Sequence, residues 1–194
     1  MVRQHSKVVS LSEAVSQIHD GANLSLSGFG QSLAPLAFVR ELIKQGKGDF
    51  ELSAVGEAWA VDMLCAAKRV KKIRMSNFMF EGFGRCPNFS KAVENGEVEV
   101  EDYSHYGMTA RLSAAALGLP SMPVRTMMGS DIEKISGFEQ PKFHHVTCPF
   151  TGEKTLLLPA LHPDFTIIHA SCAEQKGNVQ LDVHGSIIEE QWRA

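Results

Sequence analysis

A glycine-rich turn after an apolar stretch is the segment of this sequence best suited to chemistry. Residues 20–35 read Asp-Gly-Ala-Asn-Leu-Ser-Leu-Ser-Gly-Phe-Gly-Gln-Ser-Leu-Ala-Pro. The alternation over 23–27 predicts a strand, the glycines break it, and Pro35 suits the first turn of a helix. Glycines at the carboxyl end of a strand let backbone N–H groups approach a ligand, and the next helix adds its positive dipole end. The segment therefore predicts a site for a phosphate, a carboxylate or a developing oxyanion, with an ordinary strand-to-helix turn as the alternative.

Three further side chains stand in loops after predicted strands. Glu57 and Trp59 follow one strand end, and Glu81 lies in a second loop that contains glycine. Each of them is placed to touch a substrate. Loop carboxylates are more commonly solvated, however, so the favoured interpretation of both glutamates is a solvated side chain.

The histidine and cysteine residues lack the spacing of a metal site. His144 and His145 are adjacent, and Cys148 follows three residues later. Adjacent residues of a strand face opposite ways, so at most two of these groups can meet one ion, and the usual ligand count is missing. We therefore expect no metal. His169 stands in an apolar stretch and is expected to be a core histidine with satisfied hydrogen bonds.

Strand-like and helix-like segments alternate along the chain. A Ser-Leu-Ser-Glu capping box predicts the first helix, from Leu11. Later helices are predicted from Pro35, over 58–67, from Pro87 and over 104–117. The predicted strands are 23–27, 50–55, 72–77, 98–100, 123–128, 143–146, 155–158, 165–170 and 179–183.

This order of elements argues for an α/β fold with an open, largely parallel sheet and helices on both faces. The sequence shows no repeat and no linker, so we expect a single domain over residues 1–194. Residues 187–194 are typical of the beginning of a helix and no cap follows them. We therefore expect the chain to be C-terminally incomplete.

Composition narrows the classes of partner and location. Hydrophobic residues make up 44% and charged residues 21%, with a net charge of −3, as in ordinary globular proteins. The sequence has no basic stripe, which argues against a nucleic-acid partner. It has no signal peptide and no apolar run of the roughly 18–20 residues that cross a bilayer, so no membrane association is expected. Four dispersed cysteines then favour reduced thiols in the cytoplasm.

The glycine segment resembles the α subunits of family I coenzyme A transferases. Those subunits carry an acidic-Gly start, an apolar strand, a Gly-Gly-Phe turn and a proline a few residues later. The matching residues here are Asp20, Gly21, Leu24, Leu26, Gly28, Phe29 and Pro35. The sequence departs from the pattern at Ser27, where the family usually has the first glycine. Serine is small enough for the turn to form.

The resemblance continues in order along nearly the whole chain and is most similar to the glutaconate CoA-transferase type. The similar segments are 81–84, 101–104, 114–120, 129–131, 149–153, 159–161, 163–164, 168–170 and 177–180. A resemblance in many ordered segments is far more specific than any one motif. Family α subunits extend well past the length of this chain, which agrees with the expected C-terminal incompleteness.

The resemblance implies a ping-pong reaction with a partner β subunit. In the family, a β-subunit glutamate in a Ser-Glu-Asn-Gly-type motif attacks an acyl-CoA thioester, forming a mixed anhydride and then a glutamyl-CoA thioester. CoA then passes to a free carboxylic acid, and no cofactor is bound permanently. This sequence has no such motif. Its nearest stretch, Glu94-Asn95-Gly96, lacks the preceding serine and is interpreted as a helix C-cap.

The same resemblance implies roles for residues of this chain. The backbone of Gly28, Phe29 and Gly30 is expected to stabilise the oxyanion, while the partner supplies the nucleophile. The residues expected to contact substrate are Ser27, Gln31, Ser32, Glu81 and Gly82. The chain alone is expected to be inactive.

Two other functions stay open. Some relatives lack the β-subunit nucleophile and open carbon rings on CoA thioesters, using an α-chain glutamate near the helix that begins here around Ser104. This sequence has Ser104-His105-Tyr106 there and no clearly matching glutamate, which favours transfer. A chain without its nucleophile is also compatible with a non-catalytic acyl-CoA-binding module.

Overall fold

The computed structural model describes residues 6–135, 137–138 and 141–181 of the 194-residue chain. The helices are α1 (Leu11–Ser16), α2 (Leu36–Lys44), α3 (Trp59–Ala66), α4 (Pro87–Glu94) and α5 (His105–Ala116). The strands are β1 (Asn23–Leu26), β2 (Phe50–Ala54), β3 (Val70–Met75), β4 (Glu99–Asp102), β5 (Ser121–Val124), β6 (His144–Thr147), β7 (Lys154–Pro159), β8 (Phe165–Ile167), β9 (Cys172–Ala173) and β10 (Val179–Gln180). The helix predicted from residue 187 and the end of the strand predicted over 179–183 lie outside the described residues.

A five-stranded parallel sheet with strand order β4-β3-β2-β1-β8 organises the fold. Strand β1 lies inside it, with Leu24 opposite Leu52 of β2 on one side and opposite Phe165 of β8 on the other. Because parallel neighbours need crossover connections, the intervening segments form helices. The α/β class and the parallel sheet flanked by helices are thus confirmed.

Helices α1 to α4 pack with the central strands in one hydrophobic cluster. Ser10 caps α1 by accepting a hydrogen bond from the Glu13 N–H, as the capping box predicts. In α2, Val39 and Leu42 are fully buried at the spacing of one helical face. The packing of these helices against the strands holds the parallel sheet in place.

A second, antiparallel sheet has the order β5-β7-β6 and was not separately predicted. Strands β6 and β7, predicted as separate strands, form a hairpin closed by hydrogen bonds from the Cys148 N–H to the Glu153 carbonyl oxygen and from the Gly152 N–H to the Cys148 carbonyl oxygen. Helix α5 packs on this sheet through a second cluster that includes Met108, Leu112, Leu156 and Leu158. No described helix is long and apolar enough to span a bilayer.

Two predicted strands differ in detail from those of the structure. Strand β8 has three half-buried residues at the edge of the sheet, whereas a buried strand over 165–170 was expected. His169 consequently lies beyond that strand and is exposed, so the core-histidine interpretation is wrong. Strand β5 starts at Ser121 and ends at Val124 because the chain then turns, with Met127 in the left-handed region at φ 70°.

A buried network of charges joins the parallel sheet to α5 and β7. Arg74 of β3 contacts two carboxylates, Glu101 Oε2 at 3.0 Å and Glu51 Oε2 at 2.8 Å. Arg111 of α5 stacks on the Tyr103 ring and donates from Nε to the Pro159 carbonyl oxygen at 3.0 Å. Each cation here is paired or hydrogen-bonded, as burial requires.

Candidate active site

The glycine turn begins at Ser27, directly after β1, and hydrogen bonds of Ser27 fix the turn to the segment that contains β8. Its N–H donates to the Ile167 carbonyl oxygen at 2.9 Å. Its buried hydroxyl donates to the Leu33 carbonyl oxygen at 3.0 Å and accepts from the His169 N–H at 2.9 Å. Ser27 was expected to bind substrate. Because its hydroxyl is buried and engaged on both sides, it instead ties the two ends of the turn to β8.

Gly28 occupies a position that only glycine fits. Its φ is +124°, a conformation that side chains rarely adopt. A Cβ at Gly28 would stand 2.8 Å from Glu57 Cγ and 2.9 Å from the Ser32 carbonyl oxygen. The Gly28 N–H has no acceptor among the described residues. Among the three N–H groups expected to stabilise the oxyanion, those of Gly28, Phe29 and Gly30, this one is therefore left for a ligand.

The other two expected oxyanion donors are already used by the fold. The Phe29 N–H donates to the Ser32 carbonyl oxygen at 3.1 Å, and the Gly30 N–H donates to the Gly56 carbonyl oxygen at 2.7 Å. Of the three N–H groups that were expected to stabilise the oxyanion, two therefore have an acceptor within the fold, and only that of Gly28 is left among the three. The turn is nevertheless at the carboxyl edge of the parallel sheet, where ligands bind in open α/β folds.

A second loop, residues 77–86 after β3, lies against the glycine turn. The Gln31 side chain donates from Nε2 to the Phe80 carbonyl oxygen at 2.9 Å. A Cβ at Gly30 would stand 2.5 Å from Glu81 Oε1, so the Glu81 carboxylate rests on the turn. Glu81 itself has φ +49°, uncommon for a non-glycine residue and typical of functional loops. The two segments predicted to contact substrate therefore meet in space.

The remaining predicted contact residues lie at the surface of this pair of loops. Ser32 is exposed and exchanges backbone hydrogen bonds with Phe29. Gly82 is exposed and has open space around its α-carbon. Gln31 and Glu81 are exposed too. These groups are accessible to a ligand that approaches the carboxyl edge.

Aromatic side chains, most of them exposed, follow the strands at the edge that carries the turn. Phe29 follows β1, Trp59 follows β2, and the half-buried Phe80 and the exposed Phe83 follow β3. The Trp59 and Phe80 rings pack at a tilted angle of 46°, with centroids 4.9 Å apart. Phe83 is 84% exposed and Trp59 is 42% exposed. Exposed large apolar groups gathered at one edge are typical of a surface that binds a ligand or another protein.

The sequence analysis singled out Glu57 but assigned it the wrong environment. It is fully buried, although a solvated loop carboxylate was expected. Its two carboxylate oxygens accept the N–H groups of Ala60 at 2.9 Å and Val61 at 3.1 Å, in the first turn of α3. Burial raises the pKa of Glu57 to about 7, although these hydrogen bonds act in the opposite direction.

A sequence signal for Glu57 does exist. An acidic residue directly before an apolar helix that follows a buried strand is suited to accept the unpaired N–H groups of the first turn. The surrounding residues, from Val55 to Ala58, are all buried.

Helix α5 presents its first residue to the site. Ser104 caps this helix, its hydroxyl accepting from the Gly107 N–H at 3.0 Å, as predicted. The His105 ring meets the Phe29 ring edge-on, with centroids 5.4 Å apart. The glycine turn is thus contacted from α5 as well as from the loops after β2 and β3.

The residues considered for metal binding are used otherwise. His145 Nε2 lies 2.9 Å from Glu133 Oε1, and both histidines of β6 are exposed. Within residues 6–135, 137–138 and 141–181, no three His, Cys, Asp or Glu side chains form a group that could hold a metal ion.

Comparison with known proteins gives a consistent family. Residues 8–187 match the family model described as coenzyme A transferase. The chain is 35% identical over 180 residues to one subunit of the 3-oxoadipate CoA-transferase of Pseudomonas knackmussii, covering 91% of this chain and 62% of that protein. It is 29% identical over 187 residues to a cholesterol ring-cleaving hydrolase IpdA subunit of Rhodococcus jostii, covering 92% of this chain and 61% of the relative.

The fold comparison agrees. The solved structure of glutaconate coenzyme A-transferase from Acidaminococcus fermentans superposes with a TM-score of 0.88 at 30% identity, covering 97% of this chain and 64% of that one. The chain thus spans about three fifths of the length of these three relatives.

Proposed function

Because the chain belongs to the coenzyme A transferase family, we propose that it is the α subunit of a heteromeric enzyme that moves CoA from an acyl-CoA to a free carboxylic acid. The observation that carries this proposal is the match of residues 8–187 to the family, together with a glycine turn at the carboxyl edge of the sheet. Relatives that are single subunits of a larger enzyme, such as that of 3-oxoadipate CoA-transferase, support a partner chain.

The partner supplies the nucleophile in this proposal. The sequence contains no Ser-Glu-Asn-Gly-type motif, and its nearest stretch closes a helix: α4 ends at Glu94, Asn95 is the C-cap, and the Gly96 N–H donates to the Val93 carbonyl oxygen. A carboxylate of the partner attacks the thioester carbonyl carbon, and the carbonyl oxygen becomes an oxyanion. Expulsion of the CoA thiolate gives a mixed anhydride, which the thiolate then attacks to form the glutamyl-CoA thioester and release the first carboxylate.

This chain contributes an oxyanion donor and walls for the acyl group. The Gly28 N–H is placed to donate to the oxyanion, and an N–H donor fixed in position before the reaction is worth more than water. The aromatic rings of Phe29 and Trp59 and the exposed groups of Gln31 and Glu81 border the same space. Acyl-CoA and the acceptor carboxylate are accordingly the small-molecule partners.

The proposal is tested by co-expressing a candidate β subunit with the chain and measuring CoA exchange over dicarboxylic and 3-oxo acids. We expect transfer by the pair, none by the chain alone, and a covalent CoA adduct on a partner glutamate detected by mass spectrometry. Turnover by the isolated chain, or no exchange by any assembled pair, contradicts the proposal.

A hydrolase of the same fold is the second candidate, since one relative is named a ring-cleaving hydrolase. Such relatives use an α-chain glutamate near the helix that begins here around Ser104, and in this chain that neighbourhood holds Ser104, His105 and Tyr106 and no clearly matching glutamate. Ring-opened CoA thioester product without an acceptor acid, and without a CoA adduct on the partner, identifies this activity. Acyl-CoA binding without any turnover identifies a binding module.

A further inference from the structure

Glu57 fills the space between helix α3 and the glycine turn. Its carboxylate faces the first turn of α3, whereas its Cγ lies against Gly28, 2.8 Å from where a Cβ would stand. The backbone of Glu57 also forms a parallel β-bridge with Gly30, next to the hydrogen bond from the Gly30 N–H to the Gly56 carbonyl oxygen. One residue thus contacts both glycines of the turn.

The side chain is not itself available to a ligand. Its relative exposure is 0%, and both of its oxygens are occupied by backbone N–H groups of α3. Any effect on the reaction must therefore pass through the turn that rests on it.

We propose that Glu57 is a positioning residue: it supports Gly28 from beneath and so sets the direction in which the Gly28 N–H points. This inference rests on the proposed function, because it takes the Gly28 N–H as the oxyanion donor. Removing the support lets the turn settle into the vacated space. A displacement of about 1 Å at a reacting group is enough to cost on the order of 10²-fold in rate.

The protonation state of Glu57 matters to the same donor. An ionised carboxylate beneath the turn places a negative charge next to the developing oxyanion and opposes it. The neutral acid supports the turn without that penalty. Since burial raises the pKa of Glu57 to about 7, the supporting form is lost as pH rises through neutrality, and turnover falls with it.

Other titratable groups face this region and have to be separated from Glu57. Asp62 lies on α3, Cys86 precedes α4, Glu81 rests on Gly30 and His105 contacts Phe29. Burial raises the pKa of Cys86 to about 12, which removes it from the neutral range. The other three are separated by substitution.

Asp62 offers a matched control on the same helix. It is also a buried acid that accepts backbone N–H groups of a helix start, those of Asn88 at 2.8 Å and Phe89 at 2.9 Å. It caps α4 rather than supporting the turn. Asp62→Asn therefore removes a buried acid without touching Gly28.

The test uses the assembled enzyme with five variants and measures kcat and KM from pH 5.5 to 8.5. Glu57→Ala is expected to lower kcat on the order of 10²-fold. Glu57→Gln keeps the volume but places its amide NH2 against one of the α3 N–H donors, so it is expected to lower kcat at pH 6 less than Glu57→Ala does and to lose the decline above pH 7. Asp62→Asn, Glu81→Gln and His105→Asn are expected to keep that decline.

Three outcomes overturn the inference. The first is a wild-type kcat in a folded Glu57→Ala enzyme. The second is a decline above pH 7 that persists in Glu57→Gln, and the third is the loss of that decline in any of the other three variants.

A second measurement does not depend on the proposed function. In the isolated chain, the amide NMR shifts of Gly28 and Gly30 are followed against pH. We expect a titration centred near pH 7 in the wild type and in Asp62→Asn, and none in Glu57→Gln. A flat wild-type curve overturns the inference. An inactive complex with this titration intact contradicts the proposed function alone.

Discussion

Two buried glutamates, Glu101 of β4 and Glu57 between β2 and α3, differ in what compensates their charge. Glu101 is 3% exposed, and its carboxylate meets the Arg74 guanidinium at 3.0 Å and the Tyr103 hydroxyl at 3.2 Å. Glu57 is 0% exposed and accepts only backbone N–H groups, and the described residues include no cation in an ion pair with it.

The difference shows that burial alone does not define the role of a carboxylate. A buried charge with a guanidinium partner is locked into the architecture, and removing the partner is expensive. Glu57 is held by N–H groups alone, and burial raises its pKa to about 7, so it gains or loses its proton around neutral pH. The first kind joins β3 to β4 within the parallel sheet here, and the second kind lies against the glycine turn of the candidate active site.

The largest expected effect comes from making Glu101 resemble Glu57. Arg74→Met removes the guanidinium and leaves Glu101 buried without its cation, so the free energy of unfolding at pH 7 should fall by roughly 3–5 kcal/mol. Chemical denaturation measures it. Lys71→Met is the control, because Lys71 and Asp49 form an exposed pair. A loss below about 1 kcal/mol, the usual worth of a surface pair, would show that Glu101 does not need Arg74.

The next effect concerns the turn that Glu57 supports. Gly28→Val forces a branched side chain onto Glu57 Cγ and the Ser32 carbonyl oxygen, at a positive φ. We expect turnover of the assembled enzyme to drop by about 10²–10³-fold, the usual cost of losing one oxyanion donor. The control is Gly118→Val, after the far end of α5, which introduces the same side chain at a positive φ but in open space and should change turnover little. Circular dichroism and co-purification check folding and pairing. Normal turnover by a folded Gly28→Val enzyme that still pairs with its partner would show that the turn only connects β1 to α2 and takes no part in catalysis.

The third prediction follows from the raised pKa of Glu57. The folded chain keeps the proton up to about pH 7, whereas the unfolded chain loses it near the ordinary glutamate value of 4.5. The folded state therefore binds more protons between these values, and wild-type stability falls as pH rises through that window. Glu57→Gln lacks this loss, so its stability relative to wild type should increase by about 3 kcal/mol from roughly pH 4.5 to 7.5. Parallel denaturation curves of both proteins measure the difference, and a difference independent of pH would contradict it.

The smallest effect comes from a helix start that carries no ionisable cap. Ser104 caps α5 as Glu57 does α3, but with a hydroxyl that also contacts Thr126 Oγ1 at 2.7 Å. Ser104→Ala should cost about 1 kcal/mol of unfolding free energy. The cost should be the same at pH 5.5 and pH 8, as thermal denaturation would show. If the cost of Ser104→Ala changed with pH, the pH dependence expected for Glu57 could not be attributed to its ionisable carboxyl group alone.

Much of the fold was predictable because its signals are local. The capping box at Ser10, the proline at Pro35 and the alternation before Gly28 each act within one or two turns of chain, and each was confirmed. Strand β8 was predicted too long because an apolar run does not reveal where pairing stops. Its last paired residue, Ile167, is set by the length of β1.

The site was predictable only as far as its backbone. The position of the glycine turn after a strand follows from local pattern, and its contact with Glu81 agrees with the grouping expected from the family resemblance. Glu57 was wrongly interpreted as solvated because the burial of a carboxylate depends on packing from three separate segments. Likewise, the use of the Phe29 and Gly30 N–H groups depends on Ser32 and Gly56, and no sequence pattern encodes those distances.

The pairing of β1 with β8 has a consequence for synthesis. The Asn23 N–H bonds to Asp164 Oδ2, a partner 141 residues away, and Ser27 is held by Ile167 and His169. At about 5–20 residues per second, a ribosome needs roughly 7–30 s to supply that partner. During this interval one edge of β1 has no strand beside it, and the glycine turn lacks its hydrogen bonds to Ile167 and His169. Nascent chains are therefore most exposed to edge-to-edge aggregation, or to capture by chaperones, before residue 165 emerges.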